Sequence, residues 1–162
     1  MKRKITNLLV GLLFLVGLGV LTYPTISNQW NTYRQSKLIS TYEAAMEPMT
    51  PEDFSEEWEK ARAFNSSFTD NNLYGDVFGA EDTKLEDTEY WNVLNIAGDG
   101  VMGYLSIPKI NIKLAIYHGT GEDVLQTGVG HLNGTKLPIG GEGSHSVLAA
   151  HRGLPSARLF TD

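Results

Sequence analysis

Gly140-Gly141-Glu142-Gly143-Ser144-His145-Ser146-Val147-Leu148-Ala149-Ala150-His151-Arg152-Gly153-Leu154-Pro155, near the C-terminal end of a 162-residue sequence, decides how the rest is read. A glycine-rich turn leads into a continuous apolar run long enough for one buried strand. A polar exit follows, in which His151 and Arg152 meet a Gly and a Pro. This places a titratable ring at the mouth of a strand, where fixed backbone presents a group to the space beside the next loop. A histidine at a strand end is more often a half-buried, hydrogen-bonded structural residue, and spacing alone does not decide between the two.

Outward from that stretch the pattern is one of short strands. Val101–Ile107 and residues 112–117 are β-rich runs separated by Pro108-Lys109-Ile110-Asn111. Gly121 to Gln126 reads as one or two helical turns ending at Gly128, Asn133-Gly134 as a turn, and Leu137-Pro138 as a strand edge. Tyr90-Trp91-Asn92-Val93-Leu94 is a short apolar patch before the turn Gly98-Asp99-Gly100. Strands at this spacing predict an antiparallel sheet or barrel.

The segment His151-Arg152-Gly153-Leu154-Pro155-Ser156-Ala157-Arg158-Leu159-Phe160 resembles the region around the catalytic histidine of sortases, and more narrowly of the pilus-assembling class C sortases. The resemblance extends back through Tyr104-Leu105-Ser106-Ile107-Pro108-Lys109-Ile110, Ile116-Tyr117-His118-Gly119-Thr120, Gly128-Val129-Gly130-His131-Leu132 and Leu137-Pro138-Ile139-Gly140-Gly141. It implies a mainly β fold with N-terminal helices, an eight-stranded β-barrel of which this sequence would hold about the first half. It implies a cysteine transpeptidase of the hydrolase class that cleaves Leu-Pro-x-Thr-Gly-like (LPxTG) sorting signals and joins pilin subunits through a lysine amine. His151 takes the catalytic histidine's place by motif match. The family's cysteine and arginine lie on later strands, and Arg152 and Arg158 are too near His151 in sequence to stand for that arginine.

In class C sortases a lid over the active site carries an Asp-Pro-aromatic motif, and its counterpart here is Asp76-Val77-Phe78, with Asp76 and Phe78 as lid residues and Val in place of Pro. Residues 65–89, rich in Asn, Asp, Ser, Thr and Gly, read as a long irregular segment able to hold it.

The N-terminus supplies an address. Met1-Lys2-Arg3-Lys4 is basic and Leu8 to Leu21 is unbroken apolar sequence, which flanking residues lengthen toward the ~20 residues a membrane-spanning helix needs. A cleaved signal peptide has the same start. An uncleaved anchor is preferred, because no small-x-small site follows and Tyr23, Trp30 and Tyr33 suit an interfacial belt. Lys2, Arg3 and Lys4 then stay cytoplasmic, and the domain faces outward on a Gram-positive-type cell surface. Residues 27–47, with Trp30, Tyr33, Leu38, Tyr42 and Met46 at helical spacing, predict an amphipathic helix that Pro48 stops. Thr50 caps a second helix that Pro51 opens, whose stripe is Phe54, Trp58 and Ala61. The expected organisation is 1–26 tail and anchor, 27–64 exported helices, 65–98 loop with lid, and 99–162 an incomplete barrel domain.

Composition excludes several functions. The net charge is −6, with 19 acidic residues against 13 Lys and Arg, three of which fall in the first four positions. An acidic exported domain does not suit nucleic acid, whose phosphates need a basic face. There is no cysteine, hence no disulfide framework, no thiolate metal site and no nucleophilic thiol, so the sequence as it stands should be inert. His118, His131, His145 and His151 lack the i, i+4 pairing of a metal site and read as strand-end or turn residues, so neither metal nor cofactor is expected. Ser144, Ser146 and Ser156 lack a Gly-x-Ser-x-Gly elbow, and Gly140-Gly141-Glu142-Gly143 lacks the Lys-Ser/Thr of a phosphate loop. A barrel left half built would expose strand edges, so the exported part is not expected to fold stably alone. The alternative to the transpeptidase is a non-catalytic, membrane-tethered remnant or module that binds pilins or an intact sortase.

Overall fold

The computed structural model describes residues 2–67 and 89–160. Its helices are α1 (Lys2–Met46), α2 (Pro51–Ser67), α3 (Glu89–Asn92) and α4 (Glu122–Leu125). Its strands are β1 (Val101–Ile107), β2 (Ile112–His118), β3 (Val129–His131) and β4 (Leu148–Ala149), with a 3-10 turn at Pro108–Ile110. The strands form one mixed sheet in the order β1-β2-β3-β4, behind a long N-terminal helix.

α1 runs unbroken through Pro24, where separate segments ending at 26 and starting at 27 were expected. Proline deletes one intrahelical donor, and the helix carries that loss because both flanks keep their own bonds. Ser27 and Asn28, one turn on, are also tied to the domain. Ser27 Oγ donates to the Ser156 carbonyl at 2.8 Å and the Arg158 N–H donates to Asn28 Oδ1 at 2.8 Å. The apolar half of α1 is exposed along its length, and it is long and apolar enough to cross a membrane.

The docking face of the second half keeps part of the expected stripe, with Tyr42 buried and Met46 packed beside it. Gln35, Ile39 and Tyr42 are buried, four and three residues apart, while Trp30 and Tyr33 point outward as a stacked pair 5.9 Å apart. A buried amide anchors this face: Gln35 Oε1 accepts from the Ala115 N–H at 2.9 Å and its Nε2 donates to the Thr127 carbonyl at 2.5 Å. α1 ends at Met46 just before Pro48. Thr50 caps α2 reciprocally with Asp53, the Asp53 N–H donating to Thr50 Oγ1 and the Thr50 N–H to Asp53 Oδ2. In α2 the buried face is Ala61, Phe64 and Asn65. Trp58 stays exposed, with the Arg62 guanidinium 5.8 Å from its ring.

β1 and β2 pair antiparallel from Val101↔Tyr117 to Ile107↔Ile112, with a bulge between Val101 and Gly103. Alternation along β2 separates two cores. Ile112, Leu114 and Ile116 join Phe64, Tyr90 and Val93 on one side, while Ala115 packs with Tyr42 and Val101 under α1 on the other. α4 then carries the chain to β3, which pairs parallel to β2 through Ile116↔Val129, Tyr117↔Gly130 and His118↔His131. A purely antiparallel sheet was expected. The crossover holds a helix, and so returns β3 in the same direction. The crossover presses so close that a Cβ on Gly130 would strike the Gly119 carbonyl and approach Thr120 Cα to 3.2 Å.

Leu137-Pro138 forms no strand edge, because the Asn65 side chain takes the Leu137 backbone, accepting from its N–H at 2.7 Å and donating to its carbonyl at 3.2 Å. The strand expected after the glycine turn is present but shorter. β4 has two half-buried residues, paired only through Gly130↔Ala149 and His131↔Leu148. Three-residue β3 offers no longer ladder, and no described strand lies on the other side of β4.

Candidate functional site

His151 stands two residues past β4, in a loop closed on itself. The Phe160 N–H donates to the His151 carbonyl at 3.2 Å, Leu154 and Ala157 form an isolated antiparallel bridge, and Gly153 takes φ 77° between them. Ala157 and Leu159 are buried and hold the loop to the main core. The backbone under His151 is thus fixed, while its side chain remains 36% exposed.

The ring is less committed than its surroundings. Nε2 is shielded from solvent and has no hydrogen-bond partner. A carboxylate oxygen, Glu122 Oε1 in the first turn of α4, lies 3.8 Å away, outside hydrogen-bond reach. Glu122 itself is 71% exposed and accepts from Gln126 Nε2 at 2.8 Å. A shielded ring nitrogen with no resident partner is free to exchange a proton with a bound reactant. None of the described hydrogen bonds joins His151 to Ser144, Ser146 or Ser156, and the Ser146 hydroxyl is likewise buried without a partner. Asp76 and Phe78, the expected lid residues, lie outside the described residues.

Two other histidines are built into a polar core that the sequence did not reveal. The Tyr90 hydroxyl lies 3.0 Å from His131 Nδ1 and 3.0 Å from the His131 carbonyl, and it accepts from the Gly119 N–H at 2.9 Å. His131 Nε2 faces the Lys136 carbonyl at 2.9 Å, which requires the proton on Nε2 and leaves Nδ1 an acceptor that shares the one Tyr90 O–H with the His131 carbonyl. Thr135 completes this side: its Oγ1 donates to the Leu132 carbonyl at 2.8 Å and accepts from the Val147 N–H at 3.2 Å.

His118 has carbonyls at both ring nitrogens, Gly100 at 3.1 Å from Nδ1 and Val93 at 2.9 Å from Nε2. A neutral ring donates to only one of them. Burial pushes His118 below its ordinary value of 6.5, against the pull of both carbonyls. Burial lowers His131 as well, with a further push from His118. The Tyr90 ring stacks edge-on against His118 and Trp91, with centroids 5.2 and 5.1 Å away. His145 is exposed in the glycine turn. No cluster of three or more His, Cys, Asp or Glu side chains suited to a metal occurs among the described residues.

This network locks the crossover from β2 to β3 and the loop leading to β4, and so places His151. Its one sequence signal was Tyr90 in an apolar patch. A hydroxyl buried there needed partners, but nothing in the sequence said they would be His131 and Gly119.

Comparison with known proteins bears on the fold. A sortase-domain family model matches residues 105–162. Sortase C1 from Streptococcus agalactiae is similar at 43% identity and a TM-score of 0.66, over 76% of this chain and 62% of that one. Sortase C-1 from Streptococcus pneumoniae is similar at 38% identity and a TM-score of 0.61, over 76% and 62%. A Streptococcus pneumoniae sortase C, described for its catalysis and pilin substrate specificity, is similar at 34% identity and a TM-score of 0.61, over 76% and 61%. The chain thus spans about 62% of the length of these structures. No curated protein matches it.

Proposed function

We propose, from the premise that residues 105–162 carry a sortase domain in a chain of class C sortase-like fold, that these residues supply the histidine part of a membrane-anchored cysteine transpeptidase. The observation that carries this reading is His151, whose Nε2 is shielded and unpartnered on a rigid loop at the end of β4.

In the reaction, a cysteine thiolate attacks the carbonyl of an LPxTG-like signal, the C–N bond breaks and a thioester forms. His151 gives a proton to the departing amine. It then takes one from the incoming lysine amine of another pilin as that nitrogen displaces the thiol, so that a new amide forms and the thiol is regenerated. The 162 residues contain no cysteine, so the thiol is not theirs to give, and the isolated chain is proposed to be inert. Neither Arg152 nor Arg158 is assigned the oxyanion role. α1 is proposed to anchor the domain, with Lys2 to Lys4 inside and the sheet on the outer face, where pilins bearing the sorting signal are met.

The test is made at the chromosomal copy in the producing cell. His151→Ala should abolish the detergent-resistant ladder of polymerised pilin, and an unchanged ladder would sink the proposal. The missing thiol also favours a second reading, a tethered module that binds pilins or an intact sortase. In that case His151→Ala leaves the ladder intact, while crosslinking through the exported domain still captures a pilin or a sortase.

A further inference from the structure

The way α1 meets the domain fixes a height above the bilayer for every part it touches. Taking residues 5–24 as the ~20 that cross the hydrocarbon, the exit lies at Pro24, just after Tyr23. At 1.5 Å per residue, Ser27 and Asn28 stand about 4.5 and 6 Å above that exit, within a headgroup layer roughly 5–7 Å thick. Those two residues bind the loop that follows His151, at Ser156 and Arg158. The next anchors are far higher: Gln35, which holds Ala115 of β2, at about 16 Å, and Tyr42, which donates to the Met102 carbonyl of β1, at about 27 Å.

The loop therefore occupies the lowest level of the domain's contacts with α1. Between them lies a groove of about 380 Å³, walled by Pro24, Thr25 and Gln29 on the helix and by Leu154, Pro155 and Arg158 on the loop. Its chemistry departs from the rest of the molecule. Residues 152–160 hold two exposed arginines and no carboxylate, in a chain of net charge −6, and residues 22–33 of α1 carry no charge and include Trp30 and Tyr33, both exposed.

We infer that the loop from Arg152 to Arg158 rests on the headgroup layer of an anionic bilayer, with Arg152 and Arg158 paired to lipid phosphates and Leu154 and Pro155 against the interface. This rests on the anchor reading of α1. The consequence is that the loop carrying His151 is held at the membrane surface, where chains still anchored in the same bilayer present their juxtamembrane segments.

The absence of cysteine allows clean single-site labels on the full chain, reconstituted in vesicles of phosphatidylcholine and phosphatidylglycerol in equal parts. An environment-sensitive fluorophore is placed by Leu15→Cys, Pro155→Cys or Thr41→Cys, and quenching is read from lipids labelled in the acyl chain or in the headgroup. The expected result is Leu15 quenched from the acyl chain, Pro155 quenched from the headgroup several-fold more than Thr41, and Arg152→Gln or Arg158→Gln lowering the Pro155 signal about fivefold each. Pro155 no better quenched than Thr41, or quenching indifferent to both arginines and to replacing all phosphatidylglycerol with phosphatidylcholine, overturns the inference. Failure at Leu15 overturns the anchor reading instead, so the two are told apart.

Discussion

His151 and the pair His118 and His131 share a side-chain type and have opposite surroundings. His118 faces a carbonyl at each ring nitrogen and His131 has a neighbour at both, whereas His151 Nε2 has no hydrogen-bond partner. Tyr90 is the joint of the structural set. Tyr90→Phe should strand the Gly119 N–H and His131 Nδ1, a loss of roughly 1–3 kcal/mol, seen as about tenfold to hundredfold faster hydrogen exchange at Gly119. The two buried rings also set a pH dependence. Their folded values lie below 6.5, so the unfolded chain binds more protons as pH falls. The stability they contribute is whole above about 6.5 and is lost as pH drops through that value toward the lower folded ones. The expected outcome is loss of the near-ultraviolet circular dichroism of the Tyr90 and Trp91 cluster on acidification below about pH 6.5, reversed on neutralisation. In the sequence His151 was set apart by its motif alone. The sequence could not tell why the others differ, because the carbonyls that fix them come from residues 18 and 25 positions away for His118.

Among the elements, those with local signals were legible and those needing a partner were not. Val101–Ile107 was read to the residue, and the cap at Thr50 and the stop at Pro48 follow from side-chain and ring chemistry inside one turn. β4 was read too long because the apolar run records burial, whereas strand length depends on how much ladder a neighbour offers. The face of α1 was read through Trp30, Tyr33, Leu38, Tyr42 and Met46; Tyr42 and Met46 do pack on the domain, but Trp30 and Tyr33 face outward and a polar residue, Gln35, joins the dock. Gln35→Ala should leave the Ala115 N–H and the Thr127 carbonyl unpaired in a buried seam, again roughly 1–3 kcal/mol. Amide exchange at Ala115 would rise accordingly, and an unchanged rate would show that α1 does not depend on this amide.

At the scale of the molecule, the described sheet is closed on neither side. β1 and β4 are its outer strands, and β4 has two registered pairs. What the sequence determined by itself is whatever depends on neighbours in the chain: an apolar N-terminal run fit for lipid, the caps and turns, and the strands β1 and β2. What only the tertiary structure decided is whatever depends on residues distant in sequence. It brought the parallel return of β3 under Gly119, the Tyr90 network that fixes two histidines, and the free Nε2 of the third. It also set the arginine-bearing loop beside the middle of α1, where Ser27 meets Ser156 across 129 positions of sequence. The physical reason is that backbone conformation is written in side chains a few residues apart, while satisfaction of buried polar groups is settled only once the chain has closed on itself.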